Sequence, residues 1–143
     1  MKQLAERIKP YFQLLRIGNL LFIAILLYVM EKWVATPLLQ LAQFYEQMPW
    51  WVLTLLIMST ICIAAGGYII NDYFDVKIDR INHPEDLVVT RYISREGAMR
   101  LFQVLTILGV IMGLVVAWWA RSWTLVMIFI VIPGLLWFYS ASY

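Results

Sequence analysis

Residues 50–79 read WWVLTLLIMSTICIAAGGYIINDYFDVKID, an uncharged apolar run from Trp50 to Ile70 that ends directly on Asn71, Asp72, Asp75 and Asp79. Twenty or so apolar residues are enough for a helix to cross the hydrocarbon of a bilayer. A charged side chain at the bilayer centre costs at least about 2.5–3.5 kcal/mol. The three acids are therefore predicted at the membrane interface or in a wet cavity, where an ionisable cluster is by default a functional site.

Three further apolar runs flank this one. The predicted spans cover about 14–34, 50–70, 101–120 and 123–139, joined by a loop at 35–49, a polar segment at 71–100 and a tight turn at Arg121-Ser122. The fold class expected is all-α, a polytopic transmembrane helical bundle. Composition agrees: of 143 residues, 63% are hydrophobic and 14% charged, against about 25% charged in soluble domains. A net charge of +2 gives no reason to expect a nucleic-acid partner. The one cysteine, Cys62, lies in an apolar run, so it reads as a small buried side chain and no disulfide within the chain is possible. The polar, basic first sixteen residues and the missing small-residue cleavage site predict that the first helix is not a cleaved signal.

Basic residues set the expected orientation. Lys2, Arg7, Lys9, Arg16, Lys77, Arg80, Arg91, Arg95 and Arg100 fall on one side of the four spans, and only Lys32 and Arg121 on the other. Cytoplasmic flanks are rich in Lys and Arg, so both termini and the acidic segment are predicted to be cytoplasmic, at the inner membrane if the source is bacterial. Trp33, Trp50, Trp51, Trp118, Trp119 and Trp123 are expected at the outer interface as an aromatic belt, with Trp137 on the inner side. Ala64, Ala65, Gly66 and Gly67 predict close helix packing, and Pro133-Gly134 a kink in the fourth span.

On a continuous helix, Asn71, Asp75 and Asp79 recur at i, i+4 and i+8 and share a face, whereas Asp72 points about 100° away. Hard oxygen donors without His or Cys suit Mg²⁺, which takes one or two carboxylates and completes its shell with water and phosphate. The spacing suggests a metal-bridged phosphate site held by Asn71, Asp75 and Asp79, with downstream arginines neutralising the remaining phosphate charge. No EF-hand, P-loop or nucleophile-elbow pattern is present. His83, followed by Pro84, reads as a loop residue with no general-base role.

Asn71, Asp72, Asp75 and Asp79 fill every specified place of N-D-x-x-D-x-x-x-D, and the chain thereby resembles the UbiA superfamily of intramembrane prenyltransferases. The likeness extends to Arg80-Ile81-Asn82-His83-Pro84, to Arg91-Tyr92-Ile93-Ser94, and to Arg16 and Asn19 at the start of the first span. It implies an all-helical membrane enzyme that binds a polyprenyl diphosphate through Mg²⁺ and transfers the prenyl group to a lipophilic, aromatic or glycerol-phosphate acceptor. Asn71, Asp72, Asp75 and Asp79 would be the catalytic set, with Arg16, Asn19, Lys77, Arg80, Arg91 and Tyr139 contacting substrate. Where many members carry D-R-P-L-x-S-G-R, this chain has Glu85 to Tyr92 without the D-R-P triplet or the glycine, more like the glycerol-phosphate branch than the quinone branch. The family's second aspartate-rich motif has no counterpart here, since no Asp follows Asp86. Tyr139 and Tyr143 resemble the start of a later tyrosine-containing element. Residues 1–143 are thus expected to form the N-terminal part of such a domain, lacking a C-terminal half and inactive by themselves. The competing expectation is a non-catalytic four-span protein that binds lipid phosphate or a partner.

Overall fold

A computed structural model describes residues 2–45, 47–82 and 88–142, with side chains omitted for residues 2–7, 77–80 and 82. Among the described residues six α-helices follow one another: α1 (Lys2–Leu14), α2 (Ile17–Met30), α3 (Thr36–Leu41), α4 (Trp50–Asn82), α5 (Arg95–Trp119) and α6 (Trp123–Ala141). A π-helical turn, Glu31–Ala35, joins α2 to α3. Four stretches are long and apolar enough to span a membrane: Ile17–Leu41, Trp50–Val76, Arg95–Trp119 and Trp123–Ala141.

Helix ends account for most departures from the expected boundaries. The first span does not begin at Leu14, because α1 stops there and Arg16 turns left-handed (φ 49°, ψ 54°) before α2 begins. Nor does it end at Val34: the chain stays helical to Leu41, so the predicted loop at 35–49 is much shorter. Pro37 lacks an N–H and its ring crowds the carbonyl four residues back. The wider π turn just before it, in which the Thr36 N–H reaches the Glu31 carbonyl, absorbs that clash without breaking the rod.

Gln43 (φ 63°) closes α3 and Arg121 (φ 49°) closes α5, again left-handed. At both ends the two N–H groups past the helix turn back, Gln43 to Gln40 O and Phe44 to Leu39 O, Arg121 to Trp118 O and Ser122 to Ala117 O, the Schellman pattern that satisfies terminal carbonyls. The tight turn expected at Arg121-Ser122 is thus present. Ser94 and Ser122 cap α5 and α6 by accepting from Gly97 N at 3.0 Å and Leu125 N at 3.3 Å, satisfying N–H groups that the helix itself cannot.

The segment at 71–100 is less polar in place than its composition implied. Helix α4 carries on through the acids to Asn82, and Val88, Val89 and Ile93 fold under it as a buried plug with Leu14, Ile69, Ile70, Val76, Ala98 and Phe102. Helix α4 is the hub, packed mainly on α5 and also touching α1, α2 and α6. Small residues let α4 and α5 approach: a Cβ on Gly109 would stand 2.8 Å from Ile63 Cγ1, and one on Gly66 2.8 Å from Thr106 Oγ1. Helix α6 is continuous across the buried Pro133.

Trp51 meets Trp119 edge-on at 6.3 Å, joining the start of α4 to the end of α5 at one end of the bundle. Trp33, Trp50, Trp118 and Trp123 are exposed, and Trp33 lies in the π turn about 12 Å before the end of α3. Trp137 instead packs between Phe74 and Phe102, 5.6 Å from each, toward the acidic end. Outer faces of α2, α5 and α6 present large apolar side chains such as Phe22, Ile25, Ile107, Ile111, Ile130 and Phe138, as lipid-facing helices do.

Candidate functional site

At the usual helical rise, Asn71 lies about 31 Å along α4 from Trp50, close to the roughly 30 Å depth of a hydrocarbon core. The same rod then carries Asp75 and Asp79 one and two turns further. The helix does continue through the cluster, so the shared face expected of Asn71, Asp75 and Asp79 exists in the backbone. On it, Asn71 Nδ2 donates to Asp75 Oδ2 at 2.7 Å, as i, i+4 neighbours can. The side chains of Asp79, Lys77 and Arg80 lie outside the described part, as do His83 and Tyr143.

Asp72 faces elsewhere and has a different kind of partner. Arg16 Nη2 donates to Asp72 Oδ1 at 3.2 Å, and the same guanidinium lies over the Tyr68 ring, 5.0 Å from its centroid. Tyr68 precedes Asp72 by four residues, so ring and carboxylate sit on one side of α4 and hold Arg16 between them. With the Asp72 side chain 23% and the Arg16 side chain 47% exposed, this is a half-wet ion pair worth no more than about 1 kcal/mol to stability. Its geometry matters more than its energy, because it ties the α1–α2 break to the acidic end of α4.

Beside these groups runs a cavity of about 600 Å³, between α4 and α6. Arg16, Tyr68, Asn71, Tyr139 and Ser140 form its polar end, while Ile63, Leu125, Ile128, Phe129, Ile132 and Leu136 line the remainder as far as Leu56. Leu56 and Asn71 are about 22 Å apart along α4. Gly67 allows the cavity to pass, since a Cβ there would stand 3.1 Å from Leu136 Cδ1. An elongated apolar cleft with convergent polar groups at one end is the general form of a site for an amphiphilic ligand.

The structure brings together Arg16, Asn71, Asp72, Asp75 and Tyr139 from the expected set, but not all of it. Asn19 is exposed on the first turn of α2. Arg91 is exposed and stacks on Tyr92 at 5.2 Å, on the turn that closes the buried plug. Arg95 lies 4.5 Å over Tyr73 and Arg100 pairs with Glu96 at 3.7 Å, bordering a shallow recess apart from the cavity. Tyr68 and Ser140 were absent from the sequence expectations. Tyr68 was detectable by stepping back one helical turn from Asp72; Ser140, buried at 5% exposure, carries no signal except its place beside Tyr139.

The donor set fits Mg²⁺. Among the described residues no three of His, Cys, Asp and Glu gather into a ready cage, and Mg²⁺ does not call for one when phosphate and water complete its shell. Asn71 and Asp75 each retain an oxygen beyond their mutual hydrogen bond.

Comparison with known proteins agrees with this architecture. The profile of the UbiA prenyltransferase family matches residues 32–143. The chain is 34% identical over 110 residues to digeranylgeranylglyceryl phosphate synthase of Sulfurisphaera tokodaii, covering 74% of this chain and 35% of that one. To the synthase of the same name from Ignicoccus hospitalis it is 47% identical over 58 residues, 41% of this chain and 19% of that one. A solved structure from work on digeranylgeranylglyceryl phosphate synthase in membranes superposes with a TM-score of 0.70 at 24% identity, covering 94% of this chain and 43% of that one, a likeness of fold. The matched regions thus span less than half the length of these relatives. With the family profile matching most of its length and four membrane-length helices arranged as described, the chain belongs to the UbiA prenyltransferase family.

Proposed function

We propose that this protein takes part in Mg²⁺-dependent transfer of a polyprenyl group from polyprenyl diphosphate to a glycerol-phosphate acceptor within the membrane, and that residues 1–143 form the N-terminal part of the prenyltransferase domain. The observation that carries the proposal is the cavity beside α4, apolar for most of its length and ending at Arg16, Asn71 and Tyr139. A prenyl chain fits the apolar stretch, and its diphosphate fits the polar end. The acceptor class follows from the relatives, which are named for a glyceryl phosphate product. The excess of Lys and Arg at the acidic end supports placing that end in the cytoplasm.

Asn71 and Asp75, with Asp79 one turn on, would hold Mg²⁺, which when bound stabilises charge on the departing diphosphate. Arg16 adds a guanidinium suited to phosphate oxygens. Ile63, Phe129 and Leu136 keep water from the allylic carbon, so the acceptor oxygen is the nucleophile with access to it. The carbon–oxygen bond to diphosphate breaks, the bond to the acceptor oxygen forms, and the acceptor proton is lost to solvent or to the diphosphate.

The test is diphosphate release by residues 1–143 purified in the membrane together with the C-terminal half of the domain, given prenyl diphosphate, glycerol-phosphate acceptor and Mg²⁺. Release abolished by Asp75→Ala supports the reading. Prenyl-diphosphate binding with no release under any acceptor would instead favour a non-catalytic lipid-phosphate binder.

A further inference from the structure

The acidic residues of α4 are not equivalent, and the partners of Asp72 separate it from the others. Asn71 and Asp75 are bonded to each other along one face. Asp72, about 100° round the helix from Asn71, accepts from Arg16 at 3.2 Å. Arg16 is held on three sides: by this carboxylate, by the Tyr68 ring at 5.0 Å, and by a left-handed backbone (φ 49°) where α1 ends and α2 begins. A non-glycine residue in that conformation is strained, and the contacts with Asp72 and Tyr68 hold its side chain against α4. The guanidinium lines the polar end of the cavity next to Asn71 and Tyr139.

We infer that Asp72 and Tyr68 are positioning residues that act through Arg16, pre-orienting its guanidinium to take a phosphate oxygen at the mouth of the cavity, and that Asp72 is not a metal-binding group. The inference rests on the proposed function for the identity of the phosphate ligand. A planar guanidinium offers donors on more than one edge, so Arg16 can keep Asp72 on one edge and present another to the ligand. Tyr68 restricts its out-of-plane swing. Asp72 thereby orders a long, flexible side chain before the ligand arrives, which is the general route by which preorganisation raises affinity.

The experiment measures binding of a prenyl diphosphate to the protein in nanodiscs across a Mg²⁺ titration, for the unchanged protein and for Asp72→Asn, Asp75→Asn, Tyr68→Leu, Arg16→Ala, Arg16→Lys and the double variant Arg16→Ala/Asp72→Asn. Positioning predicts that Asp72→Asn and Arg16→Ala each weaken binding about tenfold or more while the Mg²⁺ midpoint stays in place. Tyr68→Leu weakens it less, and the double variant is no worse than Arg16→Ala alone. Asp75→Asn moves the Mg²⁺ midpoint. Arg16→Lys retains the charge but not the fork, and recovers only part of the loss. Two results overturn the inference: an Asp72→Asn midpoint shift like that of Asp75→Asn, or additive losses in the double variant. If the unchanged protein binds no prenyl diphosphate, the functional reading itself falls, a result distinct from both. Thermal midpoints of the ligand-free variants separate misfolding from lost recognition, and Arg16→Lys serves as the variant expected to fold normally.

Discussion

Ser59 Oγ donates to the Gly109 carbonyl oxygen at 2.6 Å inside the seam between α4 and α5, and Ser59 is fully buried. The bond depends on the absence of a side chain at Gly109, because a Cβ there would lie 3.0 Å from the Ser59 carbonyl oxygen as well as 2.8 Å from Ile63 Cγ1. Close approach and hydrogen bond are one arrangement, placed in the first third of the helix that carries the acidic face.

Ser59→Ala is expected to cost only about 0.6 kcal/mol, the usual worth of an interhelical hydrogen bond in a membrane. Gly109→Ala should cost about 1–3 kcal/mol, since the helices must separate to admit the methyl group. Unfolding of the two variants in mixed detergent micelles measures the difference. A larger loss for Ser59→Ala than for Gly109→Ala would contradict this account of the seam.

Gly113 faces the Phe129 ring so closely that any added Cβ would overlap it, and Phe129 also lines the cavity. Gly113→Ala is therefore expected to push the ring and narrow the apolar stretch. Binding should fall more for long prenyl diphosphates than for short ones, with inorganic diphosphate unaffected. Equilibrium binding across a series of prenyl lengths tests this; an equal loss for all lengths would sink it.

Gly67→Leu is expected to block the cavity from the other wall, where even an added Cβ would stand 3.1 Å from Leu136 Cδ1. Prenyl-diphosphate binding should drop about tenfold or more, corresponding to lost burial of a few methylene groups at roughly 0.8 kcal/mol each. Mg²⁺-dependent binding of inorganic diphosphate should persist, as Asn71 and Asp75 are untouched.

Asp75→Ala should lower Mg²⁺-dependent diphosphate release about 100-fold or more, the scale on which a group stabilising developing charge is felt. Asn71→Ala should lower it less, because it removes one oxygen and the 2.7 Å bond that orients Asp75. Release assays over a Mg²⁺ series read both, and a normal rate for Asp75→Ala would remove the acidic face from the chemistry.

Arg121→Gly is expected to stabilise the protein by about 0.5–1 kcal/mol, because Arg121 sits at φ 49°, a conformation that favours glycine. Thermal unfolding in detergent is the measurement. No gain would mean that Arg121 makes a compensating contact where Trp118 and Trp123 border the recess at that end.

That same residue type explains which boundaries the sequence concealed. Left-handed caps are normally advertised by glycine or asparagine, yet at the two concealed boundaries they fall on Arg16 and Gln43. The break between α1 and α2 and the continuation to Leu41 consequently left no local mark. Pro37 lies inside the helical continuation, and the π turn over Glu31–Ala35 makes it compatible with helix.

The four apolar runs were legible in one dimension because each is long enough to cross hydrocarbon and a bilayer admits such runs only as helices or closed barrels. The periodicity of Asn71, Asp75 and Asp79 was legible for a similar reason, since neighbours four apart share a face wherever the helix continues. The pairing of Arg16 with Asp72, 56 residues apart, the cavity between α4 and α6, and the burial of Val88, Val89 and Ile93 beneath the acidic segment were decided by tertiary structure alone. Contacts between distant elements depend on how helices cross, and in this bundle the crossing is set by Gly66, Gly109 and Gly113, whose significance lies in the side chains that face them.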